Sequence, residues 1–564
     1  MIVRRIVPDA HRALLASGIS PVLARIYAAR GIVDAAELDC SLHALPGFDR
    51  LANIDAAALR LAGAIERQEK IIVVADYDAD GATACAVAVR GLRALGAHVD
   101  FLVPNRFEFG YGLTPEIVAV AARRAPRLLV TVDNGIASVD GVRTAAAAGI
   151  DVLITDHHLP GDALPAPAVI VNPNQPGCAF PSKHVAGVGV MFYVLCALRA
   201  HLREQRAFVA RPEPNLGALL DLVALGTVAD VVRLDQVNRI LVEQGLARIR
   251  SGRAQPGVAA LFAVAGRDPQ RATASDLGFV AGPRLNAAGR LADMSLGIRC
   301  LLADSEEEAQ PMARELDRLN RERRDIEATM QEEALAEVEA AAAQGDASAY
   351  TLCAYRPEWH PGVIGIVASR LKDRYHRPVI VFARSGEHEL RGSGRSIAGL
   401  NMRDALDLVA KRAPGTIARF GGHAFAAGLS IDARELPRFV AAFEAVARET
   451  LSEHDLRRTL ESDGTLARGE LSLALGEALR ARAWGQGFPA PAFDDVFEVR
   501  EQRRVGDAHA KLTLARGSER FQGIAFRTPA QMPPRIHALF RPEVHTFQGL
   551  SNLELVVDYW APAS

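Results

Sequence analysis

IIVVADYDADGATACAVAVRG, residues 71–91, is the stretch from which the rest of the chain is best read. Ile71 to Val74 form a continuous apolar run, the pattern of a parallel strand covered on both faces. Asp76, Asp78 and Asp80 follow, and after Gly81 a run of small residues reads as a closely packed helix ending near Gly96. An acid-rich turn with glycine is commonly just a solvated loop. Here the acids fall at the carboxyl end of a central strand, where open α/β sheets keep their ligand crevice. Carboxylates grouped there repel one another unless some stay protonated or a cation binds, and an oxygen-rich set favours Mg2+ or Mn2+.

Working outward, the same texture recurs. Strands are expected at Lys70 to Val74, His98 to Val103, Arg127 to Val132, Asp151 to Ile154 and Ala168 to Val171, with helices between them. Thr114 before Pro115 and Ser138 read as helix caps, and Gly149 as a helix stop. This alternation implies a parallel sheet with helices on its faces. Asp133-Asn134-Gly135 follows one strand and Asp156-His157-His158 another, and LVALGTVAD places Asp230 at the end of a further apolar run, read as one more strand end. A single Asp-Gly is usually a turn, and a lone histidine is usually a core residue. Their recurrence at strand ends points to one site.

The 564 residues suggest about three domains of common size. Hydrophobic residues at 49% and charged residues at 23% provide for large cores and argue against disorder. A formal charge of -2 gives no global nucleic-acid signature, so any such binding needs local basic clusters. The six cysteines contain no CxxC pair, which argues against a zinc ribbon and fits a reducing, cytoplasmic location. The amino terminus lacks the apolar core of a signal peptide. The run VAGVGVMFYVLCAL, 185–198, is too short to span a bilayer and reads as a buried helix, its Gly187 and Gly189 serving helix packing.

Residues 305–343 read as a long helix, with Ser305 and Glu308 as a capping box and an apolar stripe at Met312, Leu316, Leu319, Ile326 and Met330. A second α/β unit occupies about 349–450. Its glycine-rich stretches RGSGRSI and FGGHAFAAG bring Ser393, Arg395 and His423, groups suited to phosphate, and glycines there would let backbone approach a ligand. From about 460 short alternating segments suggest a small barrel. Arg500, Arg503, Arg504, Lys511, Arg516, Arg520 and Arg527 alternate there with Phe521 and Phe526, a composition suited to single-stranded nucleic acid.

Taken in order, DYDADG, VDNG, TDHH and GTVAD resemble the signature motifs of DHH-family phosphoesterases, and GGHAFAAG resembles the accompanying DHHA1 domain. GPRLNAAGRL (282–291), LNRERR (319–324), WHPGVIGIVASRL (359–371) and RGSGRSI are similar to the RecJ branch, single-strand-specific 5′ to 3′ DNA exonucleases. The resemblance covers nearly the whole chain. It implies an α/β fold in five segments: an N-terminal helical segment 1–45, a DHH catalytic domain 46–302, a connecting helix 303–345, a DHHA1 domain 346–455 and an OB-fold 456–564. It also implies two Mn2+ or Mg2+ ions. Asp78 and Asp80 would each reach one ion, Asp133 would bridge both, His157 and Asp230 would complete the second site, and His158 would face the scissile phosphate. Many members carry a metal-binding histidine where this chain has Val74, so Asp76 is added as a candidate ligand by proximity. Arg106, Arg284, Ser393, Arg395 and His423 would grip the strand's phosphates and 5′ end.

The expected activity is metal-dependent 5′ to 3′ degradation of single-stranded DNA to mononucleotides in repair and recombination, with a helicase or single-strand-binding protein as candidate partner. Two other readings compete. One is an oligonucleotide phosphodiesterase, typically a much shorter chain without the terminal barrel. The other is a non-catalytic replication scaffold, which the retained acids and histidines disfavour. The size and the absence of a heptad seam point to a monomer.

Overall fold

The computed structural model describes residues 1–104, 112–341, 349–506, 509–528, 531–547 and 550–563. They divide into two compact units, one of 318–460 with Met1 and the other of 2–317 together with 461–564.

In the larger unit, β1 (Lys70–Ala75), β2 (His98–Leu102), β3 (Leu128–Val132), β4 (Asp151–Thr155) and β5 (Val169–Val171) form an all-parallel sheet in the order β2-β1-β3-β4-β5. Ile71 to Ala75 are wholly buried, as an apolar run without alternation requires. The crossovers include α1 (Ala79–Leu95), capped at its end by Gly96, then α2 (Pro115–Ala122) and α3 (Val139–Ala147). Thr114 accepts from the Ile117 N–H as an N-cap. Ser138 precedes α3 without capping it; its hydroxyl instead accepts from Leu113 N–H at 3.1 Å. Val74 packs with Ile72, Leu129 and Ile154 in an apolar cluster.

The run at 185–198 is indeed a buried helix, within α4 (Gly187–Glu204). The expectation that Asp230 closes a strand is overturned. LVALGTVAD lies on α5 (Leu220–Ala229), and Asp230 is its C-cap. Every residue from Leu220 to Thr227 is buried, so the run carries no exposed face by which its helical period could show. After α6 (Gly282–Leu291), the long helix α7 (Glu306–Ala341) follows, with Pro311 inside it and Ser305 accepting from the Glu308 N–H at 3.2 Å. Leu316, Leu319 and Met330 of its stripe are buried.

In the smaller unit, β6 (Leu352–Tyr355), β7 (Val379–Arg384), β8 (Glu389–Arg395), β9 (Arg419–Gly422) and β10 (Ala426–Asp432) form a mixed sheet in the order β9-β10-β8-β7-β6. RGSGRSI therefore runs through a strand. A Cβ on Gly392 would meet Phe382 at 2.6 Å and one on Gly394 would meet Met402 at 3.0 Å, so these glycines make room for core side chains instead of opening a loop to a ligand.

The terminal segment closes a five-stranded barrel from β11 (Phe493–Val505), β12 (His509–Arg516), β13 (Glu519–Ala525), β14 (Arg535–Phe547) and β15 (Leu550–Pro562), in the order β11-β12-β13-β15-β14. Part of its basic content is internally paired: Arg516 with Asp495 at 2.7 Å and Glu519 at 2.9 Å, Lys511 with Glu554 at 3.8 Å, and Arg500 with Glu498.

Among the described residues, ion pairs of Arg4, Arg5 and Arg30 tie the N-terminal segment to the segment leading into the barrel and to the barrel itself. Arg30 donates to both oxygens of Asp463, at 2.7 and 2.9 Å, with both side chains 1% exposed. Asp463→Ala leaves that guanidinium buried without its counter-charge, and is expected to lower unfolding stability by about 3–5 kcal/mol in a denaturant titration. Asp494 hydrogen-bonds with Arg4, Ser462 and His537. Burial opposes ionisation, but these bonds outweigh it and hold the carboxyl at about 2, below the ordinary 3.8. A depressed carboxyl contributes stability that is present above the ordinary value and lost as pH falls through about 2. The stability advantage of the wild type over Asp494→Asn is therefore expected to shrink between pH 5 and pH 2 in acid titrations of unfolding.

Candidate metal centre

The carboxyl ends of β1, β3 and β4 deliver the first three motifs to one place. Asp133 sits in the turn after β3 with φ +62°, a left-handed conformation that aspartate tolerates better than most residues. Asn134 holds this turn, donating to the carbonyls of Val74 at 3.2 Å and Val132 at 2.9 Å. Beyond β1, Asp78 accepts from Gly81 N–H at 3.0 Å as the N-cap of α1. Asp80, fully buried in the first turn, accepts from Gly187 N–H at 2.7 Å and Val188 N–H at 3.0 Å, so its carboxylate sits on the N-terminus of α4. Asn286 of α6 accepts from Ala79 N–H at 2.9 Å and fixes the loop between Asp76 and Asp80.

After β4, Asp156 orients the histidine pair. One of its oxygens accepts from the N–H groups of His157 at 2.7 Å and His158 at 3.1 Å and lies 2.7 Å from His158 Nδ1; the other accepts from Ile136 N–H. Asn174 and Asn172 hold the His157 and His158 carbonyls at 2.6 and 3.0 Å. His157 Nε2 then lies 3.1 Å from Asp133, 3.5 Å from Asp230 and 4.0 Å from Asp80.

Three groups of donor atoms each lie within 4.8 Å of one another: Asp76, Asp78 and Asp133; Asp80, His157 and Asp230; Asp133, His157 and His158. Asp76 thus stands with Asp78 and Asp133, while Val74 belongs to the apolar core and has no place among the donors. Gly187 is more than a packing residue, since a Cβ there would come 2.6 Å from Asp133 Oδ1. Gly189, by contrast, packs against Val185 and Leu241.

The electrostatics fit a cation. Burial and the charges of Asp80, Asp78, Asp230 and Asp76 push the Asp133 carboxyl well up, and Asp230 is raised by burial and the neighbouring acids. Asp80 is pushed up to about 7 by burial and by Asp78, against the two N–H groups of α4. Burial alone would lower His158, but Asp156, with Asp76 and Asp78 behind it, outweighs that and holds the imidazole at about 9. Crowded carboxylates with one imidazole form a donor set suited to a small divalent ion, which would relieve their mutual repulsion.

The remaining predicted residues lie elsewhere. Arg284 of α6 is buried, with its guanidinium 2.8 Å from Asp317 and donating to the Val280 carbonyl at 2.7 Å. In the smaller unit Arg395 donates to Ser393 Oγ at 3.1 Å, and burial lowers its pKa. Gly365, in the first turn of α8 (Ile364–Tyr375), adjoins both side chains, since a Cβ there would meet Arg395 at 2.9 Å and Ser393 at 3.0 Å. His423 is exposed in the turn between β9 and β10, and Ala426, whose carbonyl accepts the His423 N–H at 2.7 Å, pairs with Arg395 across the sheet. Arg106 lies outside the described residues. Asn172, Asn174 and Asn286 are site-building residues that the sequence did not single out, and Asn134 and Asp156 figure there only as parts of motifs without a role of their own.

Family models for the DHH family N-terminal domain, the DHHA1 domain and the RecJ OB domain match residues 70–227, 348–449 and 462–559. The chain is 48% identical to the single-stranded-DNA-specific exonuclease RecJ of Escherichia coli K12 over 96% of each chain. The chain belongs to the RecJ family. Among solved RecJ structures, that of Thermus thermophilus RecJ in complex with Mn2+ matches all of this chain and 79% of the other at TM-score 0.83 and 31% identity. The Mg2+ complex of the same RecJ matches at TM-score 0.77 and 30% identity, over 100% of this chain and 78% of the other. Thermus thermophilus RecJ thus binds either cation, in agreement with the donor chemistry here. Among the described residues no helix is long and apolar enough to cross a membrane.

Proposed function

We propose that this chain is a divalent-cation-dependent exonuclease that degrades single-stranded DNA from its 5′ end to mononucleotides, in DNA repair and recombination. The observation that carries the reading is the sharing of Asp133 between two donor groups, one with Asp76 and Asp78 and one with His157 and His158, beside a third group of Asp80, His157 and Asp230. His157 is shared between two groups as well, but the two oxygens of the Asp133 carboxylate suit it to serve two cations at once. Bound there, the ions supply Lewis acidity that makes water a nucleophile at neutral pH and offsets charge on the leaving oxygen.

The chain's own groups prepare the rest. Asp80 presents its carboxylate from the first turn of α1 and Asp230 from the C-cap of α5, and His157 joins them to Asp133. His158, oriented by Asp156 through the 2.7 Å contact at Nδ1, turns its other ring nitrogen to the scissile phosphate. Ser393, Arg395 and His423 form an anion-binding group in the smaller unit and Arg106 adds a further cation, together holding the strand's phosphates and 5′ end. The ion pair of Arg284 with Asp317 indicates that it positions α6, and phosphate binding by it would require that pair to open. We divide the chain at 45, 302, 345 and 455, and the order of its DHH, DHHA1 and OB segments is supported by family-model matches at 70–227, 348–449 and 462–559. Six free thiols fit a reducing cytoplasm, and we read the chain as a monomer that works beside a helicase or a single-strand-binding protein.

The test compares a single strand, a duplex with a 5′ overhang and a blunt duplex, each with Mn2+, Mg2+ or EDTA. Rapid release from the first two, little from the blunt duplex and none in EDTA is expected. Equal rates on all three would contradict single-strand selection, and strand binding without cleavage in either metal would favour a scaffold.

A further inference from the structure

Phe279 is 81% exposed, an unusual position for a phenylalanine inside a helical segment. It lies in a π-helical turn, Leu277–Ala281, that runs directly into α6. Its neighbours are firmly anchored. Leu277, Val280 and Ala281 are buried, and Arg284 donates to the Val280 carbonyl. A Cβ on Gly278 would meet Val228 at 3.2 Å and one on Gly282 would meet Ala229 at 3.0 Å, so the turn is seated on the residues just before Asp230. Val231, just after Asp230, is 63% exposed and has φ +62°, a conformation rare for a β-branched residue. Two exposed apolar side chains on uncommon backbone therefore belong to this region, Val231 next to Asp230 in sequence and Phe279 on the turn seated against the two residues before Asp230. Both π-turns and left-handed non-glycine residues concentrate at functional sites.

We propose that Phe279 is the platform on which one base of the DNA strand stacks as its phosphate enters the carboxylate cluster, with Val231 completing the apolar surface. The inference rests on the reading of the chain as a single-strand exonuclease. Carboxylates with cations, and His158, address phosphate, which every nucleotide shares and every duplex also presents. An aromatic face takes any unpaired base irrespective of sequence, whereas a base within a duplex already has both faces covered by its neighbours. Phe279 thus adds, beside the cleavage chemistry, selection for a strand that is unstacked there.

The experiment uses the full chain with Mn2+ and oligonucleotides carrying a single abasic site, scanned along the nucleotides nearest the 5′ end. One abasic position is expected to lower wild-type kcat/KM by about tenfold to a hundredfold, Phe279→Ala to lower it by a similar factor on the intact strand, and the two together by no more than either alone. Phe279→Trp is expected to restore the rate on the intact strand, and the thermal midpoint of the alanine variant should stay at the wild-type value. Wild-type activity of Phe279→Ala, or effects that multiply at every position, would overturn the proposal and leave the exposed ring to a protein partner. A second readout needs no cleavage: in EDTA, 2-aminopurine at one position is expected to lose fluorescence on binding wild type but not Phe279→Ala. Quenching there without cleavage in Mn2+ would sink the exonuclease reading while sparing the platform. Identical quenching in both proteins at every position would sink the platform alone.

Discussion

Replacing Asp133 by alanine is expected to lower cation-dependent nucleotide release from single-stranded DNA by at least about a thousandfold, with strand binding retained. No other carboxylate in the centre substitutes for it. Asp80 is already engaged by two N–H groups of α4, Asp78 caps α1, and Asp230 stands in only one of the three donor groups. Asp133 takes part in two of those groups and lies 3.1 Å from His157. Its removal also weakens the electrostatic case for a second cation, because fewer negative charges remain to hold two ions close together. Unchanged release by Asp133→Ala, measured with the purified variant in Mn2+ and in Mg2+, would show that the chemistry lies elsewhere.

Adding Mn2+ to the metal-free protein is expected to raise its thermal midpoint, the second large effect. Five carboxylates, Asp76, Asp78, Asp80, Asp133 and Asp230, are gathered beside His157 and His158, and burial plus mutual charge pushes Asp80, Asp133 and Asp230 upward. A ligand that binds only the folded chain stabilises it by about 2.7 kcal/mol at a hundredfold excess over its dissociation constant. The sign differs in Asp133→Asn. Burial and the neighbouring acids favour the neutral form of Asp133 without metal, which asparagine mimics, so that variant should melt no lower than wild type without metal and gain far less when Mn2+ is added. Scanning calorimetry with and without EDTA reads both effects; an equal gain in wild type and variant would remove Asp133 from the cation site.

Much of this centre could be read from the chain because parallel strands buried on both faces leave unbroken apolar runs, and the acids and histidines stand directly after them. Ile71 to Val74, Leu128 to Val130 and Val152 to Ile154 are such cases. Asp230 was harder. A helix buried on every side has the same continuous apolar texture as a buried strand, so LVALGTVAD showed that an acid follows an apolar element without showing which kind. The residues that set the geometry were harder still. Asn134, Asn286 and Asp156 act through hydrogen bonds to backbone of other segments, and Gly187 matters because the start of α4 abuts Asp133. Contacts of that sort have no local signature. The glycines of RGSGRSI show the opposite error: they suggested an open, ligand-cradling turn, whereas Phe382 and Met402 need the space above a strand.

The most direct test is the order in which label leaves a single-stranded oligonucleotide marked at either its 5′ or its 3′ end, in Mn2+, with EDTA as control. The 5′ label is expected to appear at once as mononucleotide, the 3′ label to stay on progressively shorter strands until late, and nothing to be released in EDTA. Early loss of the 3′ label, or fragments cut from the middle of the strand, would contradict 5′ to 3′ degradation.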